Sequence, residues 1–116
     1  MGKPSIAERI KDRLCPECKC EVRRKSARGR APKFCSPEHA RAYNNRALQE
    51  GAALIAYVKA WRIDRGSGEI AKASLGQICA IADSFNARDL ENGRIRADYY
   101  AATLLADGFY QDRSRT

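Results

Sequence analysis

Leu14-Cys15-Pro16-Glu17-Cys18-Lys19-Cys20 and, further on, Phe34-Cys35-Ser36-Pro37-Glu38-His39 are the two stretches that decide how this chain folds. They contain two ligand pairs, Cys15-x2-Cys18 and Cys35-x3-His39, with sixteen residues between them. Three thiolate sulfurs and one imidazole nitrogen are the donor set of a closed, tetrahedral Zn²⁺ site, with no position left for a substrate. The spacing therefore predicts a structural zinc, with Cys15, Cys18, Cys35 and His39 as ligands. The neighbours agree. Pro16 favours a tight turn that lets Cys15 and Cys18 face one ion. Ser36 is a good helix N-cap and Pro37 is tolerated at the first helical position, so Cys35 and His39 flank a helix start.

Of the five cysteines, two are left over. Cys20 lies two residues beyond Cys18 and is an alternative ligand to it. Cys79, between Ile78 and Ala80-Ile81, reads as a small buried hydrophobe. An odd cysteine count and a charged stretch from Met1 to Arg13, with no apolar core region, predict a reducing, cytoplasmic setting and no secretory leader. No run of eighteen apolar residues is present, so no membrane span is expected.

The chain has 116 residues and a formal charge of +8. Residues 1–49 hold thirteen Lys/Arg and five Asp/Glu, whereas residues 50–116 hold nine of each. All the excess positive charge thus falls in the ligand-bearing half, which predicts an anionic partner for that half, most often nucleic acid. The charge peaks in the spacer. Arg23, Arg24, Lys25, Arg28, Arg30 and Lys33 fall within eleven residues that contain no acid. Cys20–Val22 and Lys33–Phe34 read as the arms of a short β-hairpin with this basic stretch as its tip, placed to lie along a phosphate backbone. No aromatic residue is interleaved, which argues against a stacking platform for single strands.

A long helix is predicted from Pro37 to about Arg65. Tyr43, Ala47, Leu54, Ile55, Val58 and Trp61 recur at spacings of three and four and define an apolar face, and Gly51 is a plausible bend. Tyr57 and Trp61 read as core or subunit-interface residues. Arg41, Asn44, Asn45 and Arg46 sit one to two turns beyond His39, where a helix in a groove would bring them to phosphates or base edges. Of these, Arg41, Asn45 and Arg46 join the basic tip as the predicted nucleic-acid contacts. Asp64–Gly68 is a linker by composition. Two more helices are expected, from Glu69 to Phe85 and from Arg94 to Asp107, separated by an Asn92-Gly93 turn and followed by Phe109 and Tyr110, which could fold back. The expected organisation is a zinc module over residues 1–50, whose helix runs on to about 65, and a helical region over 51–116. The expected class is a small zinc-stabilised α+β fold.

Cys15, Pro16, Cys18, Phe34, Cys35 and Ser36 resemble the treble-clef zinc fingers that carry a Phe-Cys-Ser signature. His39 stands where that group usually has its last cysteine, which leaves the site one negative charge poorer. The run Arg41-Ala42-Tyr43-Asn44-Asn45-Arg46 is similar to a group of small bacterial and prophage zinc proteins, and small bacterial inhibitors of DNA gyrase carry a similar ligand arrangement. The resemblance covers roughly residues 14–62. It implies a treble-clef knuckle and a bacterial or phage setting, but no single activity, because such modules bind DNA, bind proteins or cut nucleic acid.

Catalysis is not expected. The only histidine is claimed by the metal. No Ser/His/acid trio exists, and Asp83, Asp89, Glu91 and Asp98 form no trusted pair. Two functions follow from the sequence: a zinc-dependent, nucleic-acid-binding regulator, most simply of DNA, or a protein-binding inhibitor or adaptor acting on a host nucleic-acid enzyme. The oligomeric state is open.

Overall fold

The computed structural model describes residues 13–22, 32–65 and 68–108. Within them lie three helices: α1 (Pro37–Ile63), α2 (Glu69–Glu91) and α3 (Ala97–Asp107). Each boundary has a local cause. Ser36 caps α1, its hydroxyl accepting from the His39 amide at 3.2 Å, and Pro37 occupies the first turn. Asp64 ends α1 by donating its amide to the Ala60 carbonyl. The same residue starts α2, because its Oδ2 accepts from the Ala71 amide at 3.0 Å. That carboxylate sits where a Cβ on Gly68 would be, so the corner between the two helices needs glycine at that position.

Gly93 ends α2. Its φ of 67° is the left-handed conformation that glycine adopts without penalty. The Gly93 amide donates to Leu90 and the Arg94 amide to Asp89, the paired bonds of a Schellman stop. α2 therefore extends to Glu91, beyond the Phe85 expected from its apolar residues. α3 begins at Ala97 and not at Arg94, since Arg94 and Ile95 are used in the stop and in docking.

α1 and α2 pack against each other as an antiparallel hairpin. α3 does not extend this hairpin along its length. It folds back over the N-terminal part of α1, where Tyr100 meets Tyr43 edge-on at 5.0 Å and Phe34 at 6.1 Å. The turn before α3 is tied to the first cysteine pair by the Ile95 amide, which donates to the Pro16 carbonyl at 3.0 Å. The buried apolar residues Cys15, Val22, Ile95 and Tyr100 gather at this end of the molecule, and Ala71 is buried beside the opposite corner.

The expected α+β class is overturned. The described residues contain no strand, only one isolated antiparallel bridge, Leu14 to Glu21. The chain reverses within Pro16–Cys18, and Lys19 completes the turn at a φ of 67°. The returning segment then pairs with the nearest available backbone: Cys15 N–H donates to Cys20 O and Val22 N–H to Arg13 O, both at 2.8 Å. Cys20–Val22 is therefore bonded to Arg13–Cys15 and not to Lys33–Phe34. A four-residue reversal closes at less entropic cost than the expected pairing across the basic spacer. Phe34 is instead in a bend, its ring 5.4 Å from that of Tyr43. The tip itself, Arg23 to Arg30, lies outside the described residues, as do Phe109 and Tyr110.

Two further expectations change. No residue of α1 is buried, so of the two roles expected for Tyr57 and Trp61, core or subunit interface, the core role is not the one found within the chain. Cys79, expected inside, is exposed.

Candidate metal centre

The two ligand pairs are carried by different pieces of structure. Cys15 and Cys18 flank the reversal at Pro16-Glu17, a turn that points both sulfurs to one side. Cys35 immediately precedes the cap of α1 and His39 is one turn inside it, so the helix start presents both groups together. The four ligand atoms lie within 4.8 Å of one another. His39 Nδ1 is 3.0 Å from Cys35 Sγ and 3.7 Å from Cys15 Sγ, and the sulfurs of Cys18 and Cys35 are 3.5 Å apart. A tetrahedral ion with bonds of about 2.0–2.3 Å needs ligand-to-ligand edges of about 3.3–3.8 Å. The Cys15–His39 and Cys18–Cys35 separations fall within that range and the Cys35–His39 one is somewhat shorter, and the Cys₃His group could hold a metal ion.

Burial is graded across the group. Cys15 is fully buried, Cys18 and His39 are half-buried, and Cys35 is exposed. One side of the site is thus walled by protein and the other faces solvent. The Cys35 thiol is pushed up to about 11, first by its hydrogen bond to Cys18, then by burial and by Cys15. Crowded sulfurs resist acquiring charge together, and a bound cation removes that conflict by drawing the protons off. Cys20 is exposed and hydrogen-bonds to Cys18 through both backbone and side chain, outside the four-atom cluster. The alternative of Cys20 as ligand in place of Cys18 is therefore not the arrangement found.

The surrounding contacts brace this centre. Arg46 of α1 forms an ion pair with Glu17 in the reversal and lies over the Tyr43 ring at 5.5 Å. Arg13 makes a two-pronged ion pair with Asp107 at the end of α3, one prong at 3.0 Å. The Arg13 guanidinium holds the Asp107 carboxyl below its ordinary range. Burial pushes the Tyr100 hydroxyl up to about 12, with the neighbouring Tyr43 adding to it. Arg13, Glu17, Asp107 and the Phe34/Tyr43/Tyr100 cluster were not singled out by sequence reasoning. Their pairings span up to 94 residues, and no local pattern encodes them.

Of the predicted nucleic-acid contacts, Arg41 and Asn45 are exposed on the first turns of α1 and Lys33 is half-exposed beside the site. Arg46 is held against Glu17 and Tyr43. Arg23, Arg24, Lys25, Arg28 and Arg30 lie outside the described residues. No helix of the described residues is long and apolar enough to cross a membrane. No family model matches the chain, and neither a curated protein nor a solved structure matches it.

Proposed function

We propose that the protein is a small nucleic-acid-binding regulator, with duplex DNA as its target, whose basic half is held in shape by one structural Zn²⁺. The observation that carries the metal is the convergence of Cys15, Cys18, Cys35 and His39, whose ligand atoms all lie within 4.8 Å of one another. Zinc is the ion that best suits three thiolates and an imidazole in a closed site. Bound there, it supplies cross-linking and no reaction chemistry, since all four positions are filled by protein.

The nucleic-acid reading rests on where the charge lies. The basic spacer leaves the centre after Val22 and returns to it at Pro32, so both of its ends are fixed beside metal ligands. Arg41 and Asn45 project from the helix that His39 begins. Arg46 has a different task in this reading: paired with Glu17, it holds the reversal against α1 so that the two basic segments keep one relative position.

The test is binding of the zinc-loaded protein to duplex DNA at several salt concentrations. The expected result is an affinity that falls steeply with salt. Replacing Arg23, Arg24, Lys25, Arg28 and Arg30 together by Ser should flatten the log–log slope by about 4 to 5, at about 0.9 per lost phosphate contact. Zinc content should not change. Undiminished binding by the five-fold variant overturns the reading. No binding by the native protein, with one host protein recovered alongside it, favours the adaptor function.

A further inference from the structure

We propose that Cys20 is a redox partner of the metal centre: a peroxide joins it to Cys18 as a disulfide and so takes Cys18 off the ion. The inference rests on the reading of the Cys₃His group as a zinc site, and not on the reading of the basic half. Of the four cysteines at this end of the molecule, Cys15, Cys18 and Cys35 belong to the four-atom cluster and Cys20 does not. The Cys20 thiol is exposed and hydrogen-bonds to the Cys18 sulfur.

The main chain holds the two sulfurs in this contact. Cys20 O accepts from the Cys15 amide at 2.8 Å, and the Lys19 amide donates to Cys15 O at 2.9 Å. Lys19, between the two cysteines, has a φ of 67°, the turn that brings Cys20 round beside Cys18. A solvent-facing thiol set against a second thiol is the arrangement that oxidants convert to a disulfide most readily.

With the ion bound, the three ligand sulfurs are engaged and Cys20 is the thiol left for a peroxide to meet. The Cys20 thiol loses its proton and attacks one peroxide oxygen. The O–O bond breaks, hydroxide leaves, and Cys20 becomes a sulfenic acid. The Cys18 thiolate then attacks the Cys20 sulfur, the S–S bond forms, the S–O bond breaks and a second hydroxide leaves. Each sulfur has given up one electron, and the peroxide has become one water and one hydroxide, the water carrying the proton from Cys20. Cys15, Cys35 and His39 remain, three ligands where a closed site has four, so the ion is held less tightly. The new disulfide spans one residue on an exposed segment, and exposed disulfides are the ones that thiol reductants reopen.

The test treats the zinc-loaded full chain with a few equivalents of hydrogen peroxide in the presence of a chromogenic chelator. Zinc content before peroxide tests the metal reading by itself: a protein that carries no zinc overturns that reading and this inference with it. The expected result is zinc release in step with the loss of two thiols, reversed by dithiothreitol and added zinc. After the remaining thiols are alkylated, trypsin cuts between Cys18 and Cys20 at Lys19. The new bond then appears as residues 14–19 linked to residues 20–23, with fragmentation placing it on Cys18 and not on Cys15. Cys20→Ser should bind zinc as the native protein does and release it at least about tenfold more slowly under peroxide. Cys79→Ser, at an exposed cysteine outside the cluster, should release zinc at the native rate. Release at the native rate from Cys20→Ser overturns the inference. So does a bond from residues 14–19 to residues 34–41, which would join two ligands without Cys20, or zinc retained after Cys20 is oxidised.

Discussion

Gly93 and Glu50 show how much single positions decide in a molecule with so few buried side chains. At Gly93 the left-handed φ is required by the Schellman stop, which frees Arg94 and Ile95 to turn toward the metal-bearing reversal. Gly93→Ala should lower stability by about 1 kcal/mol, measured by urea unfolding with metal bound. Glu50 faces Asp89 across the hairpin. Burial, and then that like charge, raise its carboxyl above the ordinary range, against the opposing pull of Arg46 and Arg94. A carboxyl whose folded pKa is raised weakens the fold once pH climbs past its unfolded value, and the penalty is complete above the folded value. Glu50→Gln should therefore stabilise the protein at neutral pH, by about 0.5 kcal/mol or less after solvent screening, and have no effect in acid where Glu50 is already protonated. Thermal unfolding at two pH values checks the sign.

The convergence of the Cys₃His group was legible at this scale because metal chemistry restricts residue type and spacing together. Cys79 was not. Apolar neighbours in sequence say nothing about which side of a helix meets solvent when the helix has only one partner.

Helices were legible as elements and the hairpin of strands was not, for a physical reason. Helix signals are local: Ser36-Pro37 opens α1, Asn92-Gly93 closes α2, and the bonds they direct reach no more than five residues. Strand pairing is a choice between partners, and Cys20–Val22 had two. The nearer one, Arg13–Cys15, won through the short reversal. The α1–α2 corner is another local device. Asp64 serves both helices at once, closing the first with its amide and capping the second with its carboxylate. Asp64→Ala should cost about 1 kcal/mol and fray the start of α2, visible as faster exchange of the Ala71 amide. Asp64→Asn should restore most of the loss, because its carbonyl oxygen can still accept.

The molecule as a whole is arranged around the Cys₃His group. Of the buried apolar side chains among the described residues, Cys15, Val22, Ile95 and Tyr100 lie beside the Cys₃His group and only Ala71 lies elsewhere. Chelation should therefore do more than empty a site. It should release protection from the Cys15, Val22 and Ile95 amides, each of which is bonded within or onto the reversal. Hydrogen exchange with and without chelator measures this, and protection that persists in the metal-free protein would show that the reversal holds itself. The architecture was the least legible level. The apolar stripe on α1 is evident in the sequence, but periodicity does not say whether one helix, a bundle or another molecule covers it. Likewise the task of Arg46, a brace against Glu17, depends on a neighbour 29 positions away.

The ion pair of Arg13 with Asp107 and the bond from Ile95 to Pro16 set an order of assembly. All four ligands precede Ile95 and Asp107 in the chain and so emerge from the ribosome before either of them does. A metal held by these four residues would thus be bound before the clasp shuts over it. A nascent chain stopped at Glu91 should already retain the ion, but surrender it to a competing chelator faster than the finished protein does.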